Sequence, residues 1–524
     1  MSVRSVSSIG VAVFFLTLLV SSDAFSRLPS AQTPSTAQDQ APLTFKVTTK
    51  IVLLDVVVTD KKGNLITQPL TKDDFTIVED KQVQQIRSFE PPSAHRMPQS
   101  DIPIVNSAAD LGKIGDSPVT ILVSDELNSR FEDMSYSRQM MVKYLQTQPK
   151  ILKEPTVLLA AENSSFKQLH DYTQDRDALI DVIKKHMPEF PYKMSGASGP
   201  GAVERLAQTM AALQQIAQAS TGTPGRKNLI WVGNGFPASD LVTLDSDTAA
   251  TIEAAYRRIT IRLLNARVTM YTINPSPGSS ATVTPESVDD VDAALDANGS
   301  SPFDQGSVSF SSMATASGGI AYQGRNDINN IIGEGIDKGQ NYYTLSYSPT
   351  GNSTDAAMYR NITVVMKDKS MVATTRKGYF PETAGDLNPT MDTTMKVKQA
   401  TANVELDLSA ALTSTISYNG LKVTAEKGDA GKYTIRVSGN GIGWMDTDNT
   451  GAQHEEATVA AAWYDAKGKI IGHAMREQVY IRSAVSDAAT FNLPVTLPPN
   501  AVRMRFVVRD ASNGRMGTFD IAKP

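Results

Sequence analysis

The sequence predicts an α/β domain inserted into a β-sandwich and followed by a second, all-β sandwich. Three observations carry this. Between residues 119 and 337, short apolar runs alternate with segments of helical period, the pattern of a sheet covered by helices on both faces. The stretches on either side of that region are β-branched and strand-like, and neither is large enough to hide both faces of a sheet, so they must pair with each other. Residues 396–524 then show alternating strands without a helical period.

Taken in order, residues 1–24 hold Arg4, an apolar run over 9–20 and the small-residue site Ser22-Asp23-Ala24. This reads as a cleavable secretory signal, because the run is shorter than the roughly 20 residues a spanning helix needs. An uncleaved anchor is the alternative. Residues 25–43, rich in Ser, Gln, Pro, Thr and Ala, form a linker. Residues 44–92 are the N-terminal part of the sandwich, with strands over 51–58 and 75–78 and turns at Lys62-Gly63 and Glu79-Asp80-Lys81. A Pro-rich connection, 91–117, follows.

The α/β domain spans 117–339. Strands are predicted over 119–123, 156–160, 228–232, 268–273 and 320–322, and helices over 134–145, 176–186, 202–219, 248–265 and 327–337. The alternation implies a parallel sheet whose ligands sit at the carboxyl ends of the strands. An insertion over 275–310 carries Asp289, Asp290, Asp292, Asp296 and Asp304 and reads as a solvated loop rather than an acidic, cation-collecting lid. Residues 340–381 complete the first sandwich, with strands over 342–347, 361–366 and 372–379. The last domain, 396–524, has strands over 433–437, 457–464 and 503–508 and a turn at 510–514.

Composition closes several chemistries. The 524 residues include no cysteine, which excludes disulfides, thiolate metal sites and a cysteine nucleophile. A net charge of -5 without a basic stripe gives no footprint for nucleic acid or an anionic membrane. The five histidines are scattered without ligand spacing and read as surface or capping residues.

Gly225-Arg226-Lys227-Asn228-Leu229-Ile230-Trp231-Val232, the strand over 51–58 with Thr71-Lys72-Asp73-Asp74-Phe75, and Asn341-Tyr342-Tyr343-Thr344-Leu345 together resemble the VWFA-related proteins of Acidobacteria. These carry a von Willebrand factor type A domain behind a signal peptide. The resemblance covers about residues 45–381, and Leu497-Pro498-Pro499 with 503–510 looks like the tail of such proteins. It implies a Rossmann-like type A domain and a metal-ion-dependent adhesion site, in which Asp-x-Ser-x-Ser, a loop Thr and a later Asp-Gly hold a hard cation. Here Asp125 and Ser129 match, but Leu127 replaces the first Ser and Asn234 stands where the later Asp belongs. Ser195 or Ser198 is the candidate for the loop hydroxyl. The set Asp125, Ser129, Asn234 and Ser198 is thus degenerate: it implies weak binding of Mg²⁺ or Mn²⁺ or no cofactor at all. The other reading of Asp125 is that it caps its own loop.

Other constellations are less specific. Asp446 to Gly451 begins like a calcium loop, but Ala457 occupies the twelfth position, so a polar turn is expected. His454-Glu455 lacks the second histidine of a zinc protease. Trp231, Trp444 and Trp463 with Tyr342, Tyr343 and Tyr347 read as core rather than as a carbohydrate platform. The expected function is therefore that of an exported, non-enzymatic, adhesion-type protein in the periplasm or outside the cell, binding a protein partner and neither nucleic acid nor, after signal cleavage, membrane. The alternatives are an envelope scaffold recognising partners through its β-sandwiches, and a hydrolase.

Overall fold

A computed structural model describes residues 51–163, 165–188, 200–237, 245–276, 282–285, 291, 308–350, 359–379, 404–428, 431–447, 452–482 and 487–522. Contacts divide the chain after Thr49 into two units, and the first, which includes the stretches expected to be a signal and a linker, lies outside the described residues. Ser195, Ser198 and the aspartates of the 275–310 insertion also lie outside them. No helix among the described residues is long and apolar enough to cross a membrane.

The chain begins with β1 (Val52–Asp60), β2 (Phe75–Glu79), β3 (Gln82–Gln84) and β4 (Ile86–Glu90). Next come β5 (Val119–Asp125), α1 (Phe131–Thr147), β6 (Ile151–Ala161), β7 (Phe166–Asp175), α2 (Arg176–Lys185), α3 (Pro200–Ser220), β8 (Lys227–Val232), α4 (Ser246–Asn265), β9 (Val268–Ile273), α5 (Phe310–Ala316), β10 (Ala321–Tyr322) and α6 (Ile328–Gln340). The six strands form one sheet in the order β10-β9-β8-β5-β6-β7. Strand residues alternate between its faces, as their backbone geometry requires. Ile121, Val123, Leu229 and Trp231 face α3 and α4, whereas Leu122, Ile230 and Tyr271 face α1, α2 and α6.

This sheet is mixed, which corrects the expected all-parallel one. Five strands are parallel, and β7 returns antiparallel to β6 through the turn in which the Glu162 amide bonds the Ser165 carbonyl. β7 is mostly half-buried and polar, so no apolar run announced it. α5 was likewise missed, being only seven residues long and following the insertion in sequence.

β11 (Tyr342–Tyr347), β12 (Arg360–Met366) and β13 (Met371–Thr374) pair with the N-terminal strands, and β14 (Gly378–Tyr379) pairs with β12. β1 runs antiparallel to β11, with Val52 opposite Tyr347, and β2 runs antiparallel to β12. Two four-stranded sheets, β13-β1-β11-β4 and β14-β12-β2-β3, enclose Leu54, Val56, Ile77, Tyr343, Leu345 and Val364.

After helix 404–413 (α7) come β15 (Lys422–Lys427), β16 (Lys432–Ser438), β17 (Met445–Thr447), β18 (Ala452–Tyr464), β19 (Ile470–Ile481), β20 (Ala488–Pro494), β21 (Arg503–Asp510) and β22 (Met516–Ala522). They form the sheets β15-β16-β20 and β17-β18-β21-β22, with β19 beside β18. Glu455 of the supposed calcium loop turns inward toward Asp510, whose carboxylate already accepts the amides of Gly443, Ser512 and Asn513.

The C-terminal sandwich is fused to the α/β layer through one core. Leu408, Ile416, Tyr418 and Val507 belong to the same cluster as Leu206, Leu213 and Ile259. Asp407 of α7, 4% exposed, takes Arg262 of α4 at 2.5 Å, Gln218 of α3 at 2.7 Å and Arg509 of β21 at 3.5 Å. Gly222 and Gly420 meet here so closely that a Cβ on Gly222 would stand 2.7 Å from the Gly420 Cα.

Candidate functional site at the carboxyl edge of the central sheet

Strand order reverses between β5 and β8, which makes the carboxyl end of those two strands the position where an open α/β sheet takes a ligand. Asp125, the last residue of β5, occupies it and is 1% exposed. Its Oδ1 accepts the amides of Leu127 at 3.1 Å and Asn128 at 2.9 Å, and its Oδ2 accepts the Gly235 amide at 2.7 Å and Trp231 Nε1 at 3.1 Å. Burial pushes this carboxyl up to about 6, against the four N–H donors that hold it down. Gly233, at φ 145°, passes so close that a Cβ would lie 2.2 Å from that of Asp125.

The structure brings Asp125, Ser129 and Asn234 to one edge without making them a cation shell. A carboxylate offers about four acceptor positions, and all four on Asp125 face donors. The Asn234 amide donates to the Asn128 carbonyl at 2.8 Å, and its Oδ1 lies 3.0 Å from the Ser276 hydroxyl. That hydroxyl is also 3.0 Å from Asp133 Oδ2. Leu127 is buried and offers no oxygen, while Ser129 Oγ is buried without a hydrogen-bond partner. One spare hydroxyl does not supply the octahedral oxygen shell Mg²⁺ demands, so these residues do not fit that ion. The hydroxyl that does reach the site belongs to Thr209 of α3, which accepts the Asn128 side-chain amide at 2.9 Å. Sequence reading passed over it because it sits inside a helix among core positions.

Beside this loop lies a second cluster that sequence reading missed. Glu126 follows β5, Glu162 follows β6, and His186 follows α2. Their ligand atoms all lie within 4.8 Å of one another. His186 Nε2 is 3.1 Å from each Glu126 oxygen and 3.5 Å from Glu162 Oε1. Both glutamates are 3% exposed, and the Lys167 ammonium contacts Glu162. His186 caps the end of α2, its amide donating to the Val182 carbonyl at 2.8 Å, while its side chain turns into this cluster; His95 is neither a surface nor a capping residue, being buried and stacked on Tyr342 at 4.5 Å.

The Gly225-Arg226-Lys227-Asn228 motif lies at the other end of β8 and is architectural. Lys227 Nζ donates to the carbonyls of Gly225 at 3.0 Å and Ala266 at 2.9 Å. Arg226 donates to Asn228 and to the Tyr271 hydroxyl, both at 3.1 Å, and lies over the Tyr342 ring of the first sandwich. Trp231 is fully buried. Near this end a cavity of about 590 Å³ is lined by His95, Arg96, Lys153 and Glu154. Glu154 accepts the Thr120 hydroxyl at 2.7 Å, and burial pushes its carboxyl up to about 7.

The sequence matches no family model, and no curated protein is significantly similar to it. Among solved structures, a hypothetical protein from Pyrococcus horikoshii OT3 is similar at 13% identity and a TM-score of 0.12, over 20% of this chain and 87% of its own. An endonuclease/exonuclease/phosphatase from Beutenbergia cavernae DSM 12333 is similar at 12% identity and a TM-score of 0.12, over 36% of this chain and 38% of its own. Likeness of that degree carries no argument about function.

Proposed function

We propose that this chain is an exported, non-enzymatic, adhesion-type protein that binds a protein partner through the carboxyl edge of a von Willebrand factor type A-like domain, without a metal at Asp125. The sheet order supports the fold reading. Counted within the domain, its strands run 3-2-1-4-5-6 with the third antiparallel, and the domain is inserted into a β-sandwich. The observation that carries the metal-free reading is the set of four N–H donors on Asp125. They make the adhesion-type aspartate a brace for its own loop, and contact falls to the surrounding surface. Phe131, 56% exposed at the start of α1, and Met187, 84% exposed just after α2, project from this edge. Large exposed apolar side chains of this kind anchor protein interfaces.

Recognition through the C-terminal sandwich is the second reading. It is favoured by the edge strand β19, where Val479 is 62% and Ile481 66% exposed. A photo-crosslinking amino acid placed at position 131 or 479 of the full chain separates the two. Adducts from position 131 that persist in EDTA and disappear in Met187→Asp support the proposal. Adducts from 479 alone support the second reading, and adducts that require added Mg²⁺ or Mn²⁺ refute a contact without metal at Asp125.

A further inference from the structure

We propose that Glu126, Glu162 and His186 bind one transition-metal dication, Zn²⁺ foremost. This site is distinct from the one expected around Asp125, and the inference does not depend on the adhesion reading. The donor set is one imidazole nitrogen and two carboxylates. Such a mixed nitrogen and oxygen set suits Zn²⁺ and its neighbours in the first transition row, whereas Ca²⁺ and Mg²⁺ select oxygen shells.

The spacing agrees. Zinc bonds of about 2.0–2.2 Å place neighbouring donors of a tetrahedron about 3.3–3.6 Å apart. Nε2 of His186 lies 3.1 Å from Glu126 and 3.5 Å from Glu162, so small side-chain shifts admit an ion between the three donors.

The ligands come from three separate segments, each fixed by contacts outside the cluster. The Glu126 amide bonds the Ala161 carbonyl at 2.9 Å, which ties the ends of β5 and β6 together. Arg138 of α1 donates to the carbonyls of Ile183 and His186 at 2.6 and 2.5 Å and so holds the end of α2. These contacts fix the backbone from which Glu126 and His186 project. Of the two carboxylates, each 3% exposed, Glu162 already meets the Lys167 ammonium, so an ion bound here would share that carboxylate with Lys167. The site is close to solvent as well: the His186 side chain is 11% exposed and Met187 follows it at the surface. Three protein ligands leave one position for water or a partner's donor atom. Loaded, the ion would pin the end of α2 to the ends of β5 and β6.

The test is titration of the purified, EDTA-treated full chain with ZnCl₂ by calorimetry, and with Co²⁺ by visible absorption. The expected result is one Zn²⁺ per chain and a Co²⁺ d–d band of four- or five-coordinate intensity. His186→Ala and Glu162→Gln should each weaken binding by about tenfold or more. His170→Ala and His473→Ala, which remove histidines elsewhere, should leave it unchanged. Where His186→Ala does not fold, His186→Gln replaces it, with folding checked by circular dichroism. Absence of stoichiometric binding, or binding unchanged in the Glu162→Gln and His186 variants, overturns the proposal and leaves the cluster a metal-free ion-pair network.

Discussion

Glu154→Gln should make the protein more stable, by an amount that grows as pH rises from about 4.5 to 7. Glu154 is 4% exposed, lies on β6 beside the 590 Å³ cavity, and takes the Thr120 hydroxyl at 2.7 Å. Burial, outweighing that hydrogen bond, moves its carboxyl from an ordinary 4.5 to about 7. A folded value above the unfolded one means that the native state holds the proton more tightly. The group's contribution to stability is therefore complete below about pH 4.5 and is lost as pH rises through 7. At about 1.4 kcal/mol per tenfold change in proton affinity, keeping the carboxylate ionised costs the fold about 3 kcal/mol above pH 7. Glutamine retains an oxygen for Thr120 and carries no charge. The variant should match the parent near pH 4 and exceed it by about 2 kcal/mol at pH 8, read from urea unfolding at the two pH values. A variant less stable than the parent at pH 8, or one whose difference is the same at both pH values, would refute the reasoning.

Two further outcomes follow from the site and from the domain junction. Asp125→Ala removes the acceptor of four buried N–H groups, at roughly 1 kcal/mol each, and should destabilise the chain by a few kcal/mol. The parent's melting temperature should not move when millimolar Mg²⁺ replaces EDTA, and a rise in Mg²⁺ that is lost in Asp125→Ala would show that the aspartate holds an ion after all. Asp407→Ala strips the half-buried Arg262 guanidinium of its carboxylate and should cost about 2–3 kcal/mol, splitting urea unfolding into two transitions as the C-terminal sandwich detaches. A single transition at an unchanged midpoint would show that the shared apolar core alone holds the junction.

The elements that bury regular apolar patterns were legible. Ile121 and Val123 against Leu122, or Leu206, Met210 and Leu213 along α3, announce their own period, because each buried position repeats at the spacing of the backbone. The half-polar edge strand β7 was not legible, since an edge exposed to water needs no apolar run, and without it the sheet read as parallel. The junction of the C-terminal sandwich was equally silent, because Asp407 reads as an ordinary surface carboxylate until Arg262, Gln218 and Arg509 surround it.

The candidate site divides in the same way. The sequence by itself determined that Asp125 follows a buried strand, that Leu127 and Asn234 carry neither a hydroxyl nor a carboxylate, and that no thiolate chemistry is open to this chain. These follow from residue type and strand position alone. Only the tertiary structure decided that the four acceptor positions of Asp125 are filled, because its donors come from two loops and from Trp231 of β8. It alone decided that Glu126, Glu162 and His186 converge, because β5, β6 and α2 end on the same edge of the sheet. Sequence spacing records distance along the chain, and a site assembled from the ends of three elements has no characteristic spacing to read.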